Sequence, residues 1–127
     1  MQHIAVFRQP FFDMILCGEK TIESRWSIKK IAPYKKVNIG DEILFKESGK
    51  DITASAQVRD VKYFELTPDI ANDIRQKYGK QIGIDKFEDW HTTSHKRYCT
   101  LIWFENIKKL EPIKVKKNNR AGWLVIR

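Results

Sequence analysis

Phe11-Phe12-Asp13-Met14-Ile15-Leu16-Cys17-Gly18-Glu19-Lys20-Thr21-Ile22-Glu23-Ser24-Arg25-Trp26 changes its period half-way along. Its first half is helical. Pro10 stands just ahead, where a missing N–H costs little because the first helical donors have no partner within the helix. Phe11, Ile15 and Leu16 share a face, Asp13 points to solvent, and Gly18 suits the left-handed residue that closes a helix. The spacing therefore predicts a helix from near Pro10 to near Gly18. Beyond Gly18 the period is two, so Ile22, Ser24 and Trp26 point one way and Thr21, Glu23 and Arg25 the other. A carboxylate and a guanidinium thus share one face of one strand. Lys20 sits at the junction, where the turn decides its direction, and it can swing toward the same face. The three charges then form either a site or a surface salt-bridge ladder, the latter worth only ~0 to 1 kcal/mol.

The rest of the 127-residue chain gives that stretch a setting. The length fits a single domain spanning 1–127, with 42% hydrophobic and 12% aromatic residues to build a core. A formal charge of +8 draws polyanions, anionic surfaces or acidic proteins, and names a class of partner rather than a function. No apolar run approaches the ~20 residues that span a bilayer, and the start of the chain lacks a secretory pattern, so a cytoplasmic protein is expected. Cys17 and Cys99 lie in apolar stretches and are expected as buried free thiols. Neither has metal-type spacing around it.

In chain order, Ile4 to Phe7 reads as a first strand. After Trp26, Ser27 to Lys36 reads as a loop around Pro33. It carries Lys29, Lys30, Lys35 and Lys36 around Tyr34, either a phosphate and base contact or a solvated loop. Gly40-Asp41 turns the chain into a strand through Ile43-Leu44-Phe45, and a second turn at Glu47 to Asp51 makes a hairpin with the alternating run from Ile52. That alternation slips near Asp60, which predicts a bulge or a strand end. Thr67-Pro68-Asp69 caps a helix whose face runs through Ile70, Ile74 and Tyr78 to Gly79. An irregular excursion with a brief helix around Ile84, Phe87 and Trp90 follows. Arg97 to Phe104 reads as a strand buried on both sides, Asn106 to Pro112 as a turn, and Gly122 to Ile126 as the last strand. Lys108, Lys109, Lys114, Lys116, Lys117 and Arg120 make the C-terminal third strongly basic, a second candidate for phosphate contact. His91 and His95 are spaced i, i+4 near Glu88 and Asp89, but Thr92-Thr93-Ser94 between them disfavours a helix, and no metal site is expected.

Gly18-Glu19-Lys20-Thr21-Ile22-Glu23-Ser24-Arg25 matches the G-x-K-x-x-E-x-R pattern of the ASCH domain, a branch of the PUA-like β-barrels. Phe7-Arg8-Gln9-Pro10, Gly40-Asp41-Glu42-Ile43 and Gly122-Trp123 resemble that family's lead-in, following turn and C-terminus. The resemblance implies an α+β protein, a small and mostly antiparallel PUA-like barrel of about six strands with two to three flanking helices. It also implies a cleft beside the first helix, lined by Lys20, Glu23 and Arg25, that accepts RNA or a modified nucleoside. In such a cleft Arg25 grips a phosphate or carbonyl in a fork, Lys20 supplies a point charge, and Glu23 accepts a base amine or carries a proton. Trp26, Tyr34 or Trp123 can stack on a base, core packing being the other role for Trp123. Arg8, Lys35, Lys36, Lys116, Lys117 and Arg120 complete the binding candidates. One family branch deacylates N4-acetylcytidine with a lysine and a threonine three positions later. Lys20 fits, but Glu23 occupies the threonine's place and the nearest threonine is Thr21, while other members are reported as ribonucleases. A hydrolase reading therefore has Lys20, Glu23 and Thr21 as its catalytic candidates, with no cofactor.

Overall fold

The computed structural model describes residues 1–83, 95–115 and 121–126. Strand β1 (Gln2–Phe7) leads through Arg8–Pro10 into α1 (Phe11–Leu16), whose first turn is held by Phe12 N–H donating to the Arg8 carbonyl at 3.0 Å. Phe12, Met14 and Ile15 are its buried residues, whereas Phe11 and Leu16 are half-buried. The inward face is thus rotated from the one expected, because so short a helix is covered on two sides. Phe12 packs on Phe7 of β1, with centroids 5.9 Å apart, and Met14 reaches the end of the second helix at Gly83. Gly18, at φ 85, turns the chain after α1 as its type suggested. Cys17 is exposed rather than buried, since the chain is already leaving the core there; Cys99 is buried, and both are free thiols.

The remaining elements are β2 (Ile22–Ser27), β3 (Glu42–Glu47), β4 (Ile52–Glu65), α2 (Pro68–Ile82), β5 (Tyr98–Ile113) and β6 (Trp123–Ile126). Among the described residues these strands form one sheet in the order β2-β5-β4-β3-β1-β6. Only β1 and β3 run parallel, and the other pairings are antiparallel. The sheet curls into a half-barrel that carries two helices among the described residues, as the motif resemblance implied. The expected hairpin is β3–β4, and the slip at Asp60 is a register shift between Val58 and Asp60, past which β4 continues to Glu65.

Two elements outrun their sequence signals. Helix α2 is capped by Thr67, whose hydroxyl accepts from Ile70 N–H at 3.2 Å, but it ends at Gly83 rather than Gly79. Gly83 has the left-handed φ of 87 that closes a helix, while Gly79 is simply a buried helical position. Strand β5 runs on through Asn106–Pro112, where a turn was expected, because β4 is long enough to pair with it. Ile52 faces Ile113 while Ala54 faces Lys109, so the extra residues bulge and Pro112 falls where no regular ladder donor is needed.

Alternation along β5 feeds two cores. Leu101 and Cys99 join Ile22, Ile74 and Ile82 beneath α2, whereas Ile102 joins Phe7, Phe45, Val58 and Trp123 inside the half-barrel. This is the strand buried on both faces that its lack of polar positions predicted. Strand β2 pairs with β5 and is likewise two-sided: Ile22 faces α2, and Glu23 lies opposite Ile102. The excursion with a brief helix expected around Ile84, Phe87 and Trp90 falls outside the described residues. No helix among the described residues is long and apolar enough to cross a membrane.

Candidate functional site

The turn after α1 aims Lys20 inward: its backbone N–H donates to the Met14 carbonyl at 3.0 Å, and its side chain is only 2% exposed. Its ammonium donates to the Ile22 carbonyl at 2.8 Å and the Ile82 carbonyl at 2.6 Å, and stands 3.1 Å from Glu23 Oε1. All three of its N–H bonds therefore have acceptors. The Ile82 carbonyl belongs to the last turn of α2, so Lys20 also places a cation at the negative end of that helix.

Glu23 is saturated in the same way. Oε1 accepts from Lys20 and from Ser24 N–H at 3.1 Å, and Oε2 accepts from Arg25 Nε at 3.0 Å and Arg25 Nη2 at 2.8 Å. Those four contacts use the four acceptor positions of a carboxylate. Burial favours the protonated acid, but the Lys20 and Arg25 cations and their hydrogen bonds outweigh it and hold Glu23 below the ordinary carboxylate range. For Lys20, burial is the dominant influence and pulls the ammonium below its ordinary value against the attraction of Glu23.

Arg25 alone of the three reaches the outside, with its side chain 20% exposed. Beyond its bonds to Glu23, Nη2 donates to the Val6 carbonyl at 2.9 Å and Nη1 to the Gly122 carbonyl at 3.0 Å. Its guanidinium lies 5.3 Å from the ring centroids of both Phe7 and Trp123, a cation held between two aromatic faces. Among the described residues, four of its five N–H donors are engaged, leaving one on Nη1. The expected convergence of Lys20, Glu23 and Arg25 on one face is present, but not as three groups around an open hollow. Lys20 and Glu23 lie buried behind Arg25.

Arg25 borders a pocket of about 160 Å³ whose other walls include Trp26, Tyr34, Thr100, Gly122 and Trp123, with Ile31 and Pro33 from the loop after β2. An engineered cavity of about 150 Å³ holds one benzene, so this space suits a single planar ring. Trp26 donates its indole N–H to Ser24 Oγ at 2.9 Å, and Tyr34, although buried, packs against Tyr98 and Tyr63. Burial raises the Tyr34 phenol above its usual value, so the ring stays neutral. Lys29, Lys30, Lys35 and Lys36 are all exposed on the same loop, with the Lys35 ammonium 5.1 Å from the Tyr63 ring and that of Lys30 5.7 Å from Tyr98.

Other candidates fall elsewhere. Thr21 is exposed just before β2, with its backbone N–H donating to the Gln81 carbonyl, and does not join the cluster. Arg8 is exposed before α1 and is not part of the pocket wall. Lys116, Lys117 and Arg120, like Glu88, Asp89 and His91, lie outside the described residues; His95 is exposed, and no group of three potential metal ligands occurs among the described residues. A larger groove of about 680 Å³ runs along α2 and β4 between Lys62 and Lys77, and it contains none of the motif residues.

Sequence reasoning missed His3 and Asp41. His3 Nε2 lies 2.8 Å from Asp41 Oδ2, and Trp123 Nε1 donates to His3 Nδ1 at 3.0 Å, all in the interior. The one available signal was a histidine abutting the apolar strand Ile4–Phe7, which says nothing about a partner so far along the chain.

The ASCH domain family model matches residues 6–118. Among solved structures, the chain is similar to the ASCH protein of Zymomonas mobilis at 14% identity and a TM-score of 0.72, covering 99% of this chain and 87% of that one. It is also similar to the N-terminal domain of Staphylothermus marinus McrB, at 15% identity and a TM-score of 0.58, covering 99% and 88% respectively. At such identities the likeness is one of fold. No curated protein matches the sequence significantly.

Proposed function

The chain belongs to the ASCH domain family, and from that premise we propose that it binds RNA or a modified nucleoside, seating one base in the pocket beside Arg25. The observation that carries this reading is a ring-sized pocket with aromatic walls and a fixed guanidinium at its edge. Aromatic faces accept any base by stacking, and the remaining Nη1 donor can select a base carbonyl or a phosphate oxygen. Lys29, Lys30, Lys35 and Lys36 stand on the adjoining loop to collect backbone phosphates.

In this reading Lys20 and Glu23 serve Arg25. Hydrolysis of an acylated cytidine or of RNA would ask Glu23 to take a proton from water, yet its acceptor positions are filled by Lys20, Ser24 and Arg25. Binding therefore fits the geometry better than turnover. The test is a titration with short single-stranded RNA at several salt concentrations, beside incubation with N4-acylated cytidine. Saturable binding that weakens with salt and is lost in Arg25→Gln, without release of the acyl group, is expected. Acyl release abolished by Glu23→Gln in a folded protein would overturn the binding-only reading.

A further inference from the structure

We propose that His3 and Asp41 are positioning residues for this pocket, locking the Trp123 indole as its wall and so setting the size of ring that fits. The inference rests on the base-binding reading above and goes beyond it in naming what fixes the pocket's shape. His3 is 0% exposed, and an imidazole so placed must have both nitrogens satisfied. The indole N–H can only donate, so at 3.0 Å from it His3 Nδ1 must be the bare nitrogen. The proton then resides on Nε2 and is donated to Asp41 Oδ2 at 2.8 Å.

Asp41 is anchored in turn. It accepts from Asn38 N–H at 3.0 Å and lies 3.5 Å from the terminal amino group of Met1. Burial pushes its carboxyl up, but the hydrogen bonds from His3 and Asn38 outweigh this and keep it ionised. The result is one directed chain from the turn before β3, through β1, to the first residue of β6, ending on a ring that borders the pocket and stacks on Arg25. A phenyl group at position 123 would bury comparable apolar surface without needing an acceptor. What the indole gains from a buried polar partner is a fixed ring plane. With that plane fixed, a space of about 160 Å³ admits one ring and resists two.

The experiment compares wild type, His3→Phe and Trp123→Phe. Its readouts are the imidazole tautomer by ¹⁵N NMR, exchange of the Trp123 indole proton, and affinities for cytidine, uridine, adenosine and guanosine. Wild type should show the Nε2–H tautomer, a slowly exchanging indole proton, and a preference of about tenfold or more for single-ring nucleosides. His3→Phe should unfold cooperatively as wild type does, exchange the indole proton much faster, and lose the ring-size preference with little change in affinity for RNA phosphates. If His3→Phe fails to fold, Trp123→Phe, which keeps a ring but removes the N–H, should lose the same preference. An Nδ1-protonated His3, or a folded variant with its preference intact, overturns the inference while leaving base binding standing. Failure of the wild type to bind any nucleoside or RNA overturns the base-binding reading and this inference together.

Discussion

Arg25 Nη1 donates to the carbonyl of Gly122 at 3.0 Å, so a side chain of one edge strand is fastened to the residue just ahead of the other. A second bond from Nη2 to the Val6 carbonyl reinforces the seam. Where a closed barrel uses a backbone ladder to join its edges, among the described residues the Arg25 guanidinium spans this gap, oriented by Glu23 through two hydrogen bonds. The charged motif is thus a brace for the fold and also the support of the pocket.

Glu23→Gln should destabilise the protein by about 3–5 kcal/mol, because it leaves the buried Lys20 ammonium without its counter-charge. Combining it with Lys20→Met, which removes that stranded cation, should cost less than the two single changes together, with a coupling of about 1 to 3 kcal/mol. Urea unfolding of the four proteins measures this directly. Strict additivity would mean that the pair is not coupled.

Acid should weaken the fold partly through Glu23. Its carboxyl is held below the ordinary range, so its contribution is complete above the unfolded value of about 4.3 and is lost as pH falls through the lower folded value. Stability measured between about pH 6 and 2 should fall less steeply in Glu23→Gln than in wild type, with a residual slope from Asp41, whose carboxyl is also held low. Identical slopes would show that Glu23 has no depressed value.

Gly122→Ala adds a methyl group 3.1 Å from Arg25 Nη1, a closer approach than that pinned group readily accepts. Stability should fall by about 1 kcal/mol, and RNA or nucleoside affinity should drop although no donor or ring has been removed. Calorimetric unfolding with a binding titration checks both, and unchanged affinity would place the ligand away from Nη1.

Replacing Lys29, Lys30, Lys35 and Lys36 together by glutamine should leave base preference unchanged while reducing the slope of log affinity against log salt by about 2 to 3. The same slope as wild type would remove this loop from the phosphate path.

Much of this architecture is legible in the sequence because it depends on neighbours in the chain. Gly18 marks the turn, alternation puts Glu23 and Arg25 on one face, and Thr67-Pro68 starts α2. Whether three charges near each other end up wet or buried is decided by what packs over them. Here the Ile82 carbonyl of α2 and the carbonyls of Val6 and Gly122 close around the motif, and none of those contacts is local. The same limit hid His3, whose partners Asp41 and Trp123 come from distant segments, and the extension of β5 past Asn106, which depends on the length of β4.

The most direct test is an NMR titration of the ¹⁵N-labelled protein with a short single-stranded RNA, following the Arg25 Nε–H and the indole N–H groups of Trp26 and Trp123. We predict that these signals shift together and saturate, accompanied by backbone amides of Lys29, Lys30, Lys35 and Lys36. Shifts confined to the groove between Lys62 and Lys77, with Arg25 and Trp123 unmoved, would contradict the assignment of the site.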